Sequence, residues 1–270
     1  LHSWDTFMMS NLDRREAGRL GHRNLMQFHR ESPSWSGDGL VQEENGFFLY
    51  ATASSFPVMM NGVFRTHDHI APDVLLRRAI EFFAGKERGF SLWIREEADE
   101  DLAEASKHFG FAELIRQPEM VCIRRLPEQP LPEQVEIKPV KTADDLAHFV
   151  AINASAYSVY GLPPDVVFQT FSSPEKMLLP HVTALLACAE GKPAAAALTF
   201  VHDGTAGVYW VGTIEAYRRR GLATALVREI TNAGFDMGAR ISTLQATVMG
   251  EPVYRKLGYE TVFYYRIYVR

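Results

Sequence analysis

The chain has 270 residues, 47% of them hydrophobic, and a formal net charge of −5. This length allows one large or two modest domains with a sizeable core, and the net charge gives no overall argument for nucleic-acid binding. Cys122 and Cys188 lie far apart, which excludes a disulfide framework or a cysteine metal cluster and favours a reducing compartment.

Membrane and export signals are also missing from the sequence. No run of about eighteen apolar residues indicates a membrane span. The first residues lack the basic region and apolar core of a secretory signal peptide. We therefore expect a cytoplasmic protein that binds neither membrane nor nucleic acid and that carries no metal.

The first half of the chain alternates helical and strand-like patterns. Thr6 to Arg30 has helical spacing, with Asn11 and Asp13 as candidate N-caps. The later predicted elements are strands at 46–52 and 58–65, a helix at 72–84, a strand at 90–94, a helix at 99–109 and a pair of strands within 112–124.

A proline-rich segment then interrupts the pattern. Residues 127–133 contain three prolines and no hydrophobic period, which is typical of a stiff linker between domains. We predict one domain at residues 1–126 and a second at residues 134–270.

The second half again mixes strands and helices. Its helix at 142–157 has Thr142 as a candidate cap, followed by acidic residues. The other predicted elements before residue 217 are a strand at 135–140, a loop at 160–164, a helix from 165, and strands at 181–190, 194–202 and 208–214.

The turn after the strand at 208–214 carries the first motif, Arg218-x-x-Gly221-x-Ala223. The first amides of a helix have no intrahelical acceptor and the helix dipole places positive charge there, so such a turn binds anions. Gly221 and Ala223 keep the approach to the backbone open, and three successive arginines add positive charge. A nucleotide pyrophosphate fits this arrangement.

A second motif follows at a short distance. Residues 240–247 have a strand pattern, and the next segment forms a short helix that Gly258 ends. This helix contains the pattern Tyr254-x-x-Leu257-Gly258-Tyr259.

Together and in this order, the two motifs resemble those of the GCN5-related N-acetyltransferase (GNAT) superfamily, over about residues 135–270. The resemblance implies that acetyl-CoA lies in a split between two strands and that Tyr254, as general acid, protonates the departing CoA thiolate. The cofactor-binding residues that it implies are Val211, Gly212, Thr213, Arg218, Arg219, Arg220, Gly221, Leu222, Ala223 and Thr224.

The acceptor is the least specified part of this interpretation. The loop at 156–163 has the same place in the order of elements as the family's acceptor loop. The resemblance therefore makes Tyr157 and Tyr160 the candidate substrate residues. No dense carboxylate cluster would recruit a polycation, so a small amine or an amino-acid-like acceptor is favoured over a protein. Glu215, His181 and His202 are weak candidates for a general base, and a water chain or an amine that arrives neutral stays open.

The two halves of the chain resemble each other. Residues 107–111 match residues 255–259 in pattern at an offset of 148 residues. At this offset the first motif falls on Ile70, Asp73 and Leu75, and Tyr254 on Ser106, so the functional residues do not repeat. The sequence therefore predicts an α/β (α+β) fold of two GNAT-like domains, each a mixed, mostly antiparallel twisted sheet flanked by helices, the first domain being degenerate.

The function expected from these observations is N-acetyltransfer from acetyl-CoA to a primary amine, by a monomer or homodimer. Two alternatives stay open. One is a non-catalytic acyl-CoA-binding or interaction protein, and the other is transfer of a longer acyl group.

Overall fold

The structure is a computed structural model and describes residues 12–270. Its first helix, α1 (Arg14–Glu31), begins at Asp13, whose side chain accepts a hydrogen bond of 2.7 Å from the Glu16 amide. Asp13 is therefore the N-cap, as the sequence predicts. The other candidate cap, Asn11, and the predicted helix start at Thr6 lie outside the described residues.

The rest of the first half forms five strands and two helices. Two features differ from the prediction: the edge strand β1 was not predicted, and residues 112–122 form one continuous strand in place of a pair, because Pro118 does not interrupt the pairing. The elements are β1 (Leu40–Glu44), β2 (Phe47–Ala51), β3 (Asn61–Arg65), α2 (Pro72–Ala84), β4 (Ser91–Arg95), α3 (Glu100–His108) and β5 (Ala112–Cys122).

The second half forms six strands and four helices. The Thr142 cap is confirmed, since Thr142 and Asp145 exchange side-chain to backbone hydrogen bonds in a capping box. The resemblance to the GNAT superfamily also implies two strands after the last helix, but residues 260–269 form one strand. The elements are β6 (Val135–Pro139), α4 (Ala143–Tyr157), α5 (Pro164–Thr170), β7 (Val182–Ala189), β8 (Lys192–His202), β9 (Thr205–Thr213), α6 (Leu222–Asp236), β10 (Ile241–Gln245), α7 (Glu251–Leu257) and β11 (Glu260–Val269).

All eleven of these strands belong to one sheet, in the order β1-β2-β3-β4-β11-β5-β10-β9-β8-β7-β6. The pairing is antiparallel except between β3 and β4 and between β9 and β10, which are parallel. The predicted mixed, mostly antiparallel sheet with flanking helices is therefore confirmed. The structure joins the sheets of the two halves into one.

The join depends on an exchange of strands. β5 pairs with β10 and β11, whereas β11 pairs with β4 and β5. The last strand of each half therefore lies beside the parallel strand of the other half. The largest apolar cluster also contains residues of both halves. Trp93 comes from the first half, and Phe149, Phe200 and Tyr265 come from the second.

The internal repeat has a structural counterpart. From β3 to β5 the first half runs strand, helix, parallel strand, helix, strand, and the second half repeats this order from β9 to β11. The proposed division into residues 1–126 and 134–270 stays a prediction, because β5 and β11 each pair with strands of the other half. The segment between runs along α6: the Leu126 amide donates to Asn232 Oδ1 at 2.8 Å, and Pro132 borders Gly221.

We predict that neither half folds alone. Residues 134–270 without the first half lack both neighbours of β11, and β10 loses one partner, so two strands acquire open edges. The isolated fragment is expected to elute as an aggregate on size exclusion and to melt without cooperativity by circular dichroism. Co-expression with residues 1–126 is expected to restore a cooperative complex. A monomeric, cooperatively folded 134–270 fragment would contradict the exchange.

Candidate active site

β9 and β10 diverge near the middle of the sheet. They pair in parallel only as far as Gly207 and Thr243, although β9 continues to Thr213. The pairing of β9 with β8 shifts register next to Trp210, which has a left-handed φ of 53°. A positive φ is strained for a bulky residue, and a bulge bends its strand. The bulge at Trp210 marks the opening between the two strands.

Gly212, one of the predicted cofactor residues, permits close packing by α4. A Cβ atom at this position would lie 2.8 Å from Asn153 Oδ1 and 2.9 Å from the Ala156 Cβ. The helix therefore presses against the end of β9. The bulge itself lies two residues earlier.

The first motif forms the start of α6. Gly221 is its N-cap, with φ of 81°, and the first helical hydrogen bond runs 3.0 Å from the Ala225 amide to the Gly221 carbonyl. Helix geometry then leaves the amides of Leu222, Ala223 and Thr224 without intrahelical acceptors. Three free amides at the positive end of a helix dipole form an anion site.

The three arginines ahead of Gly221 have different surroundings. Arg218 donates to the carbonyls of Thr213 (3.2 Å) and Ala156 (3.4 Å), and so ties the end of β9 to the end of α4. Arg220 forms an ion pair with Glu190. Within residues 12–270, Arg219 has no hydrogen-bond or ion-pair partner, so its guanidinium is free to bind a ligand.

These elements surround a cleft of about 430 Å³. Tyr217, Thr247 and Tyr254 complete its walls. Every predicted cofactor residue except Arg220 borders the cleft, namely Val211, Gly212, Thr213, Arg218, Arg219, Gly221, Leu222, Ala223 and Thr224.

A smaller inner cavity of about 100 Å³ adjoins the cleft. Five residues border both spaces: Tyr157, Tyr160, Val211, Thr247 and Tyr254. The Tyr160 hydroxyl lies 3.0 Å from Thr247 Oγ1, which links the segment after α4 to the loop after β10. Both candidate substrate tyrosines therefore lie where the cleft meets the cavity.

Tyr254 lies at this junction, on α7, with its side chain mostly buried. Burial, and to a lesser extent the nearby Tyr160, raises the pKa of Tyr254 above its ordinary value, so the phenol stays protonated at neutral pH. Within the described chain its hydroxyl has no hydrogen-bond partner. The hydroxyl is therefore available to donate to a ligand.

The first half supplies one wall of the inner cavity, which the sequence did not indicate. His29, Tyr50 and Trp93 line it, with the His29 ring 4.4 Å from that of Tyr50 and the Trp93 Nε1 donating to the Tyr50 hydroxyl at 2.8 Å. Burial lowers the pKa of His29 to about 3, so the imidazole is neutral. No sequence spacing links these three positions, because they lie on α1, β2 and β4 and meet only when α1 packs on the sheet.

Glu119 was also missed. This fully buried carboxyl on β5 accepts hydrogen bonds from Thr243 Oγ1 and, at 2.7 Å, from Gln245 Nε2, and Gln245 lines the inner cavity. Burial raises the pKa of Glu119 to about 7, and its two hydrogen bonds oppose the rise. A carboxylate directly before the apolar run Met120-Val121-Cys122 was the available signal.

The weaker base candidates lie elsewhere. His181 Nε2 is 2.8 Å from Glu31 Oε1, and Glu215 is exposed. Neither of these residues, nor His202, borders the cleft or the inner cavity. Among residues 12–270 there is also no group of three or more His, Cys, Asp or Glu side chains placed to hold a metal, and no helix there is long and apolar enough to cross a membrane.

The corresponding turn of the first half is closed by protein groups. Arg65 donates to the carbonyls of Asp68 (2.7 Å) and Ile70 (2.9 Å) below the loop that leads into α2. α2 then begins with Pro72, which has no N–H, and Asp73 follows in the first turn. Leu75, at the position of Ala223, is fully buried. An anion would meet a carboxylate and one fewer amide here.

Comparison with known proteins agrees with this architecture. A solved GCN5-related N-acetyltransferase from Kribbella flavida is 22% identical, with a TM-score of 0.71 over 94% of this chain and 95% of that one. A GCN5-related N-acetyltransferase from Sphaerobacter thermophilus is 15% identical, with a TM-score of 0.64 over 83% and 76%. A tandem GNAT protein from the clavulanic acid biosynthesis pathway is 12% identical, with a TM-score of 0.59 over 83% and 78%. A search of curated proteins gives no match.

The chain therefore has the fold of these GCN5-related N-acetyltransferases, and the likeness extends over both halves. Residues 151–259, which contain both motifs, match the Acetyltransferase (GNAT) family. The family resemblance predicted from the sequence is confirmed. The chemistry typical of this family is acyl transfer from a CoA thioester.

We predict that Glu119 makes stability depend on pH. Because its pKa is raised from 4.5 to about 7 in the folded protein, the folded chain binds more protons between these values, and the free energy of unfolding falls as pH rises through that window. The expected loss is about 3 kcal/mol. Urea unfolding of Glu119→Gln between pH 4.5 and 8 should lack this slope. Glu113→Gln, on the exposed part of the same strand, should retain it, and equal slopes in all three proteins would contradict the assignment.

Proposed function

We propose that the protein is an N-acetyltransferase that moves an acetyl group from acetyl-CoA to a primary amine by direct attack. One observation carries the proposal: a cleft with an anion site at one end meets a separate inner cavity at Tyr254. The cleft suits an extended cofactor and the cavity suits an acceptor. Their junction is where the two reactants would meet.

Acetyl-CoA would enter the cleft with its pyrophosphate at the start of α6. The amides of residues 222–224 and the Arg219 guanidinium would bind the phosphate oxygens. The pantetheine would follow the diverging end of β9 at Val211, Gly212 and Thr213, where β10 no longer supplies backbone partners. This path brings the thioester to Val211 and Tyr254, which border both spaces.

The reaction then needs few protein groups. The amine nitrogen attacks the thioester carbonyl carbon, a C–N bond forms and the C–S bond breaks. The Tyr254 hydroxyl donates its proton to the departing sulfur, and the phenol recovers a proton as the amine nitrogen loses one through solvent. A raised pKa suits this role, because the phenol is protonated before each turnover.

The surroundings of the acceptor favour an amine that arrives neutral over an amine deprotonated by a base. Among the described residues that line the inner cavity there is no Asp, Glu, Lys or Arg. Transfer from water into such a space disfavours an ammonium ion. The lowered pKa of His29 in the same wall has this physical cause.

The proposal assigns different tasks to the two halves. Residues 134–270, completed by β5, would hold acetyl-CoA, and residues 1–126 would form a degenerate domain without cofactor, with residues 127–133 as the linker. The protein would act in the cytoplasm as a monomer or homodimer, without a metal, and on a small molecule in preference to a protein, nucleic acid or membrane.

Arg219→Ala should weaken CoA binding about tenfold, because it removes a charge-assisted hydrogen bond to phosphate at an exposed site. The matched control is Arg125→Ala, another exposed arginine, whose guanidinium pairs with Asp236 at the far end of α6 and which should change the dissociation constant by less than about twofold. Titration calorimetry with CoA measures both. Equal losses in the two variants would count against the cofactor path, and tighter binding of longer acyl-CoAs than of acetyl-CoA would favour the alternative acyl group.

Tyr254→Phe should lower kcat about a hundredfold and leave the dissociation constant of CoA unchanged, because the phenol acts only on the departing thiolate. Thiol release with saturating acetyl-CoA and amine measures kcat. The control is Tyr259→Phe, a buried neighbour whose ring is 6.0 Å from that of Tyr254 and whose hydroxyl bonds to Thr231 and Ser242. An unchanged kcat in Tyr254→Phe would remove the general acid. CoA binding without thiol release for any amine would support the non-catalytic alternative.

A further inference from the structure

We propose that the inner cavity accepts a small primary amine with an uncharged apolar body and no carboxylate, and that the first half of the chain selects it. This inference rests on the proposed function, because it concerns the acceptor of that reaction. The first half would then be a specificity element, although it lacks a cofactor site of its own.

The walls of the cavity define the chemistry of its occupant. Aromatic and other apolar side chains from both halves form most of the lining, and its polar groups are uncharged. A carboxylate placed there would lose its hydration without meeting a cation, which is strongly unfavourable. A second ammonium group would likewise find no carboxylate among the lining residues, since the Glu119 carboxyl lies behind Gln245 and already accepts hydrogen bonds from Gln245 and Thr243. Both free amino acids and diamines are therefore disfavoured.

Two glutamines supply hydrogen bonds at this lining. Gln117, only 9% exposed, borders the cavity and has no side-chain partner within residues 12–270. Gln245 donates through Nε2 to Glu119, which leaves its Oε1 free to accept an N–H. Gln245 lies two residues before Thr247, which borders the cleft as well. The Gln245 Oε1 therefore belongs to a residue close in sequence to the junction of cavity and cleft. This uncharged oxygen would orient the amine by accepting a hydrogen bond from its N–H.

The volume limits the size of the body. An apolar cavity of about 150 Å³ holds one benzene molecule. At about 100 Å³, the inner cavity suits a branched alkyl group or a small ring. The wall remote from the cleft includes Trp93, whose indole donates to Tyr50, so both residues of this wall are fixed. Shortening Trp93 would lengthen the space available.

The test compares amines of matched shape for binding to the CoA-saturated protein by titration calorimetry. The three compounds are 3-methylbutylamine, leucine, which is the same amine with a carboxylate, and 1,4-diaminobutane. The dissociation constants of leucine and diaminobutane are expected to be at least about a hundredfold higher than that of 3-methylbutylamine. Equal or tighter binding of either compound overturns the proposal, as does a lack of 3-methylbutylamine binding at millimolar concentration.

The role of the first half is tested with Trp93→Phe. The variant should improve binding of 2-phenylethylamine relative to 3-methylbutylamine about tenfold, because the remote wall recedes. Trp35→Phe is the matched control: Trp35 is also a buried tryptophan of the first half, packs on Phe28 and Phe171, and borders neither space. In Trp35→Phe, the ratio of the dissociation constants of 2-phenylethylamine and 3-methylbutylamine should match that of the unaltered protein. An unchanged ratio in Trp93→Phe would contradict selection by this wall.

Thiol release with the same amines separates this inference from the proposed function. Preferred binding of 3-methylbutylamine without release of CoA would contradict the enzyme and retain the cavity assignment. Rapid release with leucine or diaminobutane, in preference to 3-methylbutylamine, would retain the enzyme and overturn the assignment.

Discussion

The exchange of β5 and β11 is the constraint on which the rest of the structure depends. Each strand closes the sheet of the half that did not produce it, so eleven strands form one surface. Only this join brings Trp93 and Tyr50 of the first half to the same cavity as Tyr254 of the second. The inner cavity is therefore a property of the whole chain, and its residues cannot be assigned to one half.

The repeat places the same type of turn in both halves, with different contents. The helix starts at Pro72 and Leu222 hold equivalent positions beside parallel strands. In the second half, Gly221 and free amides open this position to an anion, whereas Arg65 and Leu75 fill it in the first. Protein groups therefore fill in the first half the position that is open in the second, while the strand pairing beside it is the same.

The sequence predicted most of the features that depend on residues close together in the chain. The caps at Asp13 and Thr142, the glycine turn before α6 and the short helix with Tyr254 follow from residue types over a few positions. β1 was not predicted, because Gln42, Glu43 and Glu44 at an open edge give no apolar alternation. Arg218, Arg219 and Arg220 are chemically alike in the sequence. It therefore could not predict that Arg218 binds two carbonyls, that Arg220 pairs with Glu190 and that Arg219 has no partner within residues 12–270.

Long-range pairing could not be predicted from one sequence. Tyr265 on β11 pairs with Arg95 on the adjacent strand β4, although 170 residues separate them in sequence. The hydrophobic pattern of neither strand indicates this register. Glu119 was missed for a related reason, since its burial depends on β10 and on α1 packing over β5: a Cβ atom at Gly21 would lie within 3 Å of its carboxyl. Charge in a strand is a weak signal until its neighbours are known.

The long separation in sequence between β4 and β11 has a consequence for synthesis. Residues 91–95 are made well before residues 265–269, the segment that covers one edge of β4. Until then a nascent chain carries an unpaired strand with an apolar face, which favours pairing with other copies. Aggregation during translation should thus depend on how quickly β11 follows β4.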